Sequence, residues 1–187
     1  MPPISDDDLQ RVIVGEVRPH AAPITLAEYD PRWPDLYARE EHRVRAVLGL
    51  VARRLEHVGS TSVPGLTAKP IIDMLLLVPD AADESGYLPA LEAAGYVLRV
   101  REPDWFEHRL VKGPDTDINL HVFGDGCPEA DRMLRFRDRL RANDSDRDHY
   151  AATKRHLATT TWRHVQNYAE AKTDVVAQIM ANARTEA

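Results

Sequence analysis

The residue types that can do chemistry gather in one stretch of this 187-residue chain. It runs from His57 through Gly59-Ser60-Thr61-Ser62 and Lys69 to Asp73 and Val78. Asp73 sits inside Pro70-Ile-Ile-Asp-Met-Leu-Leu-Leu-Val78, a continuously apolar, branched run that predicts an interior strand. Burying that carboxylate unpaired costs several kcal/mol, so it calls for a metal ion, a basic side chain or protonation. Ahead of it, the N–H groups and hydroxyls of Gly59, Ser60, Thr61 and Ser62 make the kind of turn that cradles phosphate oxygens. An acid on the adjacent strand is then placed to hold a Mg²⁺ that neutralises those phosphates. Lys69 adds a positive charge that can steady a transition state. Blander uses exist for each residue: glycines permit turns, hydroxyls cap helices and lysines face water. The spacing is not that of a Walker A loop, because no Gly-Lys-Ser/Thr follows Gly65.

Further candidates lie downstream. In Asp117-Ile-Asn-Leu-His-Val-Phe123, alternation puts Asp117, Asn119 and His121 on one strand face and Ile118, Leu120 and Val122 on the other. His121 is a candidate metal ligand beside Asp73 or a general base toward an acceptor hydroxyl; the structural alternative is a satisfied histidine at a strand end. His57 either lines the same pocket or braces the turn, with Glu56 on the opposite face. On a helix expected over 128–142, Arg132, Arg135 and Arg139 fall within about 60° on the wheel. That row either snorkels into water or forms a basic wall toward phosphates, with Arg135 and Arg139 as rim residues. Tyr150 and Lys154, and Tyr168 and Lys172, are spaced to stack at i, i+4, which makes Lys154 and Lys172 rim candidates too.

The elements that must position these groups read as follows. Period-two alternation suggests a short strand over 24–29, and Asp30-Pro-Arg-Trp-Pro delivers a helix from about Pro34 to Leu50. Leu36, Val44, Val47 and Leu48 form its buried side. A strand over 53–58 precedes the turn. Residues 80–95 read as a helix stopped by Ala-Ala-Gly, and strands follow over 96–101, 105–112 and 117–123. Three helical segments, near 128–142, 146–160 and 162–183, complete the chain. Residues 1–22 form an N-terminal arm, partly flexible, in which Leu9, Val12, Ile13 and Val17 can dock a short helix.

At 43% hydrophobic, the chain can bury a core as one domain over 23–187, with 127–187 as a helical annex. Net charge is −6, and residues 127–187 carry 11 Lys/Arg against 9 Asp/Glu. That density is too low for a nucleic-acid partner. A single cysteine, Cys127, excludes an internal disulfide and a cysteine zinc site. With neither a membrane-length apolar run nor a signal pattern, a cytoplasmic protein is the simplest expectation.

The run Glu56-His-Val-Gly-Ser-Thr-Ser-Val-Pro-Gly-Leu-Thr-Ala-Lys-Pro-Ile-Ile-Asp73 resembles the signature of the GrpB family. The likeness continues through Leu88–Tyr96, Leu120–Val122, Phe136–Arg141, Tyr150–Ala158 and Tyr168–Lys172, roughly residues 24–180. It implies an α/β (α+β) fold of nucleotidyltransferase type: a mixed sheet flanked by helices, with a C-terminal helical bundle. Similar domains occur fused to a coenzyme A biosynthetic kinase. The resemblance also implies Asp-x-Asp/Glu at the metal, whereas Asp73 is followed by Met74-Leu75, so the second acid is absent. The family commonly reads His-Leu-His where this chain has Asn119-Leu-His121. The expected function is Mg²⁺-dependent transfer of a nucleotidyl group from an NTP to a small-molecule acceptor, with Asp73 and His121 catalytic. The alternative is a non-catalytic nucleotide or metabolite-binding module with a degenerate site.

Overall fold

The computed structural model describes residues 6–16 and 22–185. In chain order the elements are α1 (Asp6–Val12), β1 (Ala22–Pro23), α2 (Trp33–Leu48), β2 (Arg54–Val58), β3 (Ile72–Val78), α3 (Leu88–Ala93), β4 (Val97–Glu102), β5 (His108–Lys112), β6 (Ile118–Gly124), α4 (Pro128–Ala142), α5 (Asp144–Ala158), β7 (Thr161–Trp162), α6 (Val165–Glu170) and α7 (Thr173–Thr185). Five strands form one mixed sheet in the order β2-β3-β6-β5-β4; β3 and β6 run parallel and the other neighbours antiparallel. The expected mixed sheet with flanking helices and a C-terminal helical bundle is what the chain adopts.

Alternation along the strands decides where each face goes. Ile72, Met74, Leu76 and Val78 of β3 and Ile118, Leu120 and Val122 of β6 turn to one face. There they bury against Trp33, Val44 and Leu48 of α2 and Leu88 and Leu91 of α3. The opposite face is divided. At one end Leu75, Leu77 and Phe123 pack under Ala130 and Leu134 of α4. At the other end Asp73, Asn119 and His121 stand in the same rows and line a cavity with Tyr168 and Ala169. A third cluster, Val63 and Leu66 with Leu140, Tyr150, Val175 and Ile179, ties the loop after β2 to α4, α5 and α7.

Several expected elements differ. Residues 24–29 are not a strand; their backbone forms one isolated bridge, Ala27 to Ala68, while Ile24 is buried and Tyr29 packs edge-on against Trp33. The helix expected over 80–95 shrinks to the six residues of α3, preceded by a short 3₁₀ turn at Glu84–Gly86, since Pro89 fits an α-helix only in its first turn. Trp105–Glu107 is a turn, with Phe106 (φ 55°) and Glu107 (φ 52°) left-handed, so β5 starts only at His108. The last expected helix breaks at Ala171-Lys172 into α6 and α7. At the N-terminus α1 docks through Leu9, 1% exposed, and Ile13 bridges to Val100. Val17 lies outside the described residues. Among these residues no helix is long and apolar enough to cross a membrane.

Candidate functional site

Asp73 occupies β3 with Val58 opposite it on β2 and Asn119 beside it on β6. Gly59 begins the turn above it. Its φ is 67°, and a Cβ there would lie 2.3 Å from Asp73 Oδ2 and 2.8 Å from Asp73 Cβ. Only glycine therefore lets the turn approach the carboxylate this closely. Asn119 Nδ2 donates to Asp73 Oδ1 at 2.7 Å, while Asn119 Oδ1 accepts from Lys112 Nζ at 2.9 Å, which fixes the orientation of the amide. His121 Nε2 stands 3.8 Å from Asp73 Oδ1. Burial pushes the Asp73 carboxyl up, but His121, Asn119 and the Lys172 charge outweigh it and hold the group below the usual carboxylate range.

The turn hydroxyls divide their work. Ser60 Oγ faces the cavity and accepts from Lys154 Nζ at 2.9 Å. Thr61, which also lines the cavity, commits its hydroxyl to Ile71 O at 3.1 Å and to His57 Nε2 at 3.1 Å. Ser62 Oγ donates to Gly59 O at 2.6 Å and closes the short helical turn. Of the three hydroxyls read as phosphate ligands, Ser62 is thus a lock on the loop. His57 is a brace as well: it faces α2, stacked on Tyr37 with ring centroids 4.8 Å apart, and its buried imidazole is pushed down to about 4. His57 and Ser62 line a separate cleft of about 480 Å³ on the far side of the turn.

The cavity above Asp73 measures about 260 Å³ and is lined by Ser60, Thr61, Lys69, Asp73, Asn119, His121, Lys154, Tyr168 and Lys172, among others. Three lysines thus converge on one carboxylate. Lys154 is 2% exposed and reaches Ser60 Oγ and the Thr67 carbonyl, with its ammonium 4.9 Å from the Tyr150 ring centroid. Burial, helped by the neighbouring Lys172 and Arg155 charges, pushes it down to about 7. Lys172, in the break between α6 and α7, sits 4.5 Å from the Tyr168 ring centroid; burial pushes it down to about 8, with Asp73 opposing. Lys69 is likewise lowered by burial. Among the described residues the buried Tyr168 hydroxyl has no hydrogen-bond partner, so the cavity wall holds an unused donor.

The arginine row lies elsewhere. Arg135 lines a shallow surface depression with Asp131 and Asp138, and Arg139 binds Asp146 at 2.5 Å, so neither reaches the rim of this cavity. The side of α4 that meets the turn carries Arg137 and Arg141. Arg137 Nη1 donates to His57 O at 3.0 Å and Glu56 Oε2 at 2.8 Å, and Arg141 donates twice to Ser62 O, at 3.0 and 2.8 Å.

The alternation rule missed two more residues. His108 Nε2 lies 3.0 Å from His121 Nδ1, and His108 Nδ1 lies 2.6 Å from Glu102 Oε2. Spacing along the chain gave no sign of either; only the pairing of β4, β5 and β6 brings them together.

As a metal site the donor set is thin. Among the described residues, no group of three or more His, Cys, Asp or Glu converges. The Lys112 bond turns the Asn119 carbonyl away, so Asp73 and His121 are the donors the cavity offers. That set does not suit a pair of ions bridged by carboxylates. It suits at most one Mg²⁺ completed by phosphate and water, the mode in which magnesium is held by one or two carboxylates.

Residues 23–182 match the GrpB protein family. A UPF0157 protein of Halalkalibacterium halodurans is 66% identical over 181 residues, spanning 97% of this chain and 93% of that protein. A dephospho-CoA kinase of Mycolicibacterium paratuberculosis is 32% identical over 162 residues, spanning 72% of this chain but 39% of the kinase. Among solved structures, the conserved protein GrpB from Enterococcus faecalis superimposes with a TM-score of 0.73 at 29% identity, over 87% of this chain and 98% of that one. The matched span takes in the Gly59 turn, Asp73, both histidines and all three lysines; the chain belongs to the GrpB family.

Proposed function

We propose that the three-lysine cavity receives the triphosphate of an NTP and that the chain moves a nucleotidyl group from it to a small-molecule acceptor. The observation that carries this reading is the convergence of Lys69, Lys154 and Lys172 on the Gly59-Ser60 turn directly above Asp73. Lysines held in a half-closed cavity, two of them with depressed affinity for protons, regain favourable electrostatics when a polyanion enters. The Tyr168 hydroxyl supplies a further donor. A 260 Å³ cavity suits a phosphate chain, leaving base and sugar to extend outward. Likeness to part of a dephospho-CoA kinase is in keeping with phosphate chemistry.

In this reading Asp73 would hold one Mg²⁺, which would supply charge neutralisation on the phosphates. Lys154 and Lys69 orient the phosphates, and His121 is the base. The acceptor hydroxyl oxygen bonds to the α-phosphorus as the bond from that phosphorus to the α,β-bridging oxygen breaks. The hydroxyl proton passes to His121 Nε2, and pyrophosphate leaves. The lysine charges supply stabilisation that a second ion gives elsewhere.

Binding without turnover is the second reading, and Leu75 favours it. The position of the missing acid is 0% exposed, packed with Val58, Phe123 and Leu134, so no carboxylate could stand there without opening the core. One experiment addresses both readings: thermal shift with ATP, GTP, CTP and UTP, with and without Mg²⁺, on wild type and Asp73→Ala, followed by a pyrophosphate-release assay with candidate acceptors. A ligand at 100 times its Kd raises stability by about 2.7 kcal/mol. The expected result is a Mg²⁺-dependent shift for one NTP, lost in Asp73→Ala. No shift with any NTP contradicts both readings, and a shift without pyrophosphate release leaves the binding module.

A further inference from the structure

Across one face of the sheet a polar side chain from each of four neighbouring strands falls into line: Glu102 on β4, His108 on β5, His121 on β6 and Asp73 on β3. Their contacts form a line: Glu102 Oε2 to His108 Nδ1 at 2.6 Å, His108 Nε2 to His121 Nδ1 at 3.0 Å, and His121 Nε2 to Asp73 Oδ1 at 3.8 Å. We infer that Glu102 and His108 are positioning residues that fix His121 in the Nδ1–H tautomer, so that its unprotonated Nε2 faces the cavity. This rests on the nucleotidyl-transfer reading for its purpose, but not for its geometry.

The logic follows from donor and acceptor types. An ionised carboxylate can only accept, so the proton between Glu102 and His108 lies on His108 Nδ1. A neutral imidazole has one N–H, which leaves His108 Nε2 as an acceptor. Its partner, His121 Nδ1, must then donate, and in the neutral ring that a base requires the lone pair of His121 is left on Nε2. His108 is 4% exposed and stacked on Phe123, and so buried a ring is favoured neutral over a cation. A free imidazole prefers its proton on Nε2, so without the relay His121 would present the wrong atom to an acceptor hydroxyl. When His121 Nε2 takes a proton, the new cation gains a hydrogen-bonded path through His108 to the Glu102 carboxylate.

The surroundings hold the line in place. His108 is 4% exposed, stacked on Phe123 with centroids 4.8 Å apart and edged by Trp105 at 5.1 Å. The turn that delivers Trp105 to this position uses Phe106 and Glu107 at positive φ, a conformation that costs non-glycine residues energy. A bulky aromatic environment and a strained turn thus converge on a histidine that never reaches the cavity itself.

The test uses ¹⁵N imidazole spectra of the full chain together with steady-state kinetics. Wild type should show His121 as the Nδ1–H tautomer. His108→Phe keeps the stacking on Phe123 but removes the acceptor; it should turn His121 to Nε2–H and lower kcat by about 100-fold, the scale of general-base catalysis, with KM for the NTP unchanged. His108→Gln, whose amide oxygen can accept from His121 Nδ1, should restore the Nδ1–H form and recover at least ten-fold of that loss. An Nε2–H tautomer in wild type, or an unchanged Nδ1–H form in His108→Phe, overturns the inference, and should His108→Phe fail to fold, wild type and His108→Gln still decide it. If the tautomers behave as expected but wild type binds no NTP, the relay stands and the nucleotidyl-transfer reading falls.

Discussion

Two sets of cations approach the Gly59–Ser62 turn from opposite sides, and they are used in opposite ways. From α4, Arg137 and Arg141 reach the His57 and Ser62 carbonyls, and Arg137 is further paired with Glu56 and Asp138. Their donors are spent on the backbone, as the guanidinium fork allows. On the Asp73 side, Lys69, Lys154 and Lys172 face a cavity with one carboxylate among them, and burial weakens the hold of each on its proton. The arginines shape the turn; the lysines are left with charge to give to an anion. Folding alone would not retain such lysines, since a desolvated ammonium subtracts from stability.

The sharpest way to break this division is Gly59→Ala, which forces a left-handed alanine and a Cβ into Asp73 at once. It should abolish the NTP-induced thermal shift and lower the apparent Tm of the free protein as well, both read in one melting series. Next come the cations themselves. Lys154→Met should reduce NTP affinity at least ten-fold, measured by titration calorimetry, while in the free protein the loss of a penalised buried charge offsets part of the cost of leaving the Thr67 carbonyl without its partner. Arg141→Met should do the reverse in emphasis: a loss of about 1–3 kcal/mol in urea unfolding from the stranded Ser62 carbonyl, with a smaller change in affinity.

Proton linkage sharpens the same contrast. Lys154 and Lys172 are lowered from 10.5 to about 7 and about 8 in the folded chain. Between those values and 10.5 the unfolded chain binds more protons than the folded one, so their contribution to stability rises with pH through that window. A bound triphosphate favours the charged lysines, so its affinity should fall over the same window. Opposite slopes in pH-dependent melting and binding are the expected outcome; parallel slopes would place the lysines outside the binding event. The smallest effect belongs to Ser62→Ala, about 1 kcal/mol in denaturant unfolding for one internal hydrogen bond, with NTP affinity nearly intact.

What the sequence revealed of this site was whatever depends on local pattern. An acid inside an apolar run marked Asp73, alternation put Asn119 and His121 on one face, and four-residue spacing paired Tyr150 with Lys154 and Tyr168 with Lys172, as the structure has them. What it hid depends on partners distant in the chain. A helical wheel groups Arg132, Arg135 and Arg139 correctly but cannot say which side of α4 meets the turn, and that side carries Arg137 and Arg141. Alternation over 24–29 looked like a strand, yet a strand exists only where another supplies a ladder. Glu102 and His108 join the site through strand register alone.

The account turns on whether the lysine cavity takes a triphosphate. Calorimetric titration of each NTP with Mg²⁺ into the wild-type chain at a pH of about 8, repeated in two buffers of different ionisation enthalpy, asks this directly. Binding of one NTP with net uptake of protons from the buffer is the predicted result, because Lys154 and Lys172 are only partly protonated there. Absence of binding for all four NTPs, or binding with no proton uptake, would contradict it.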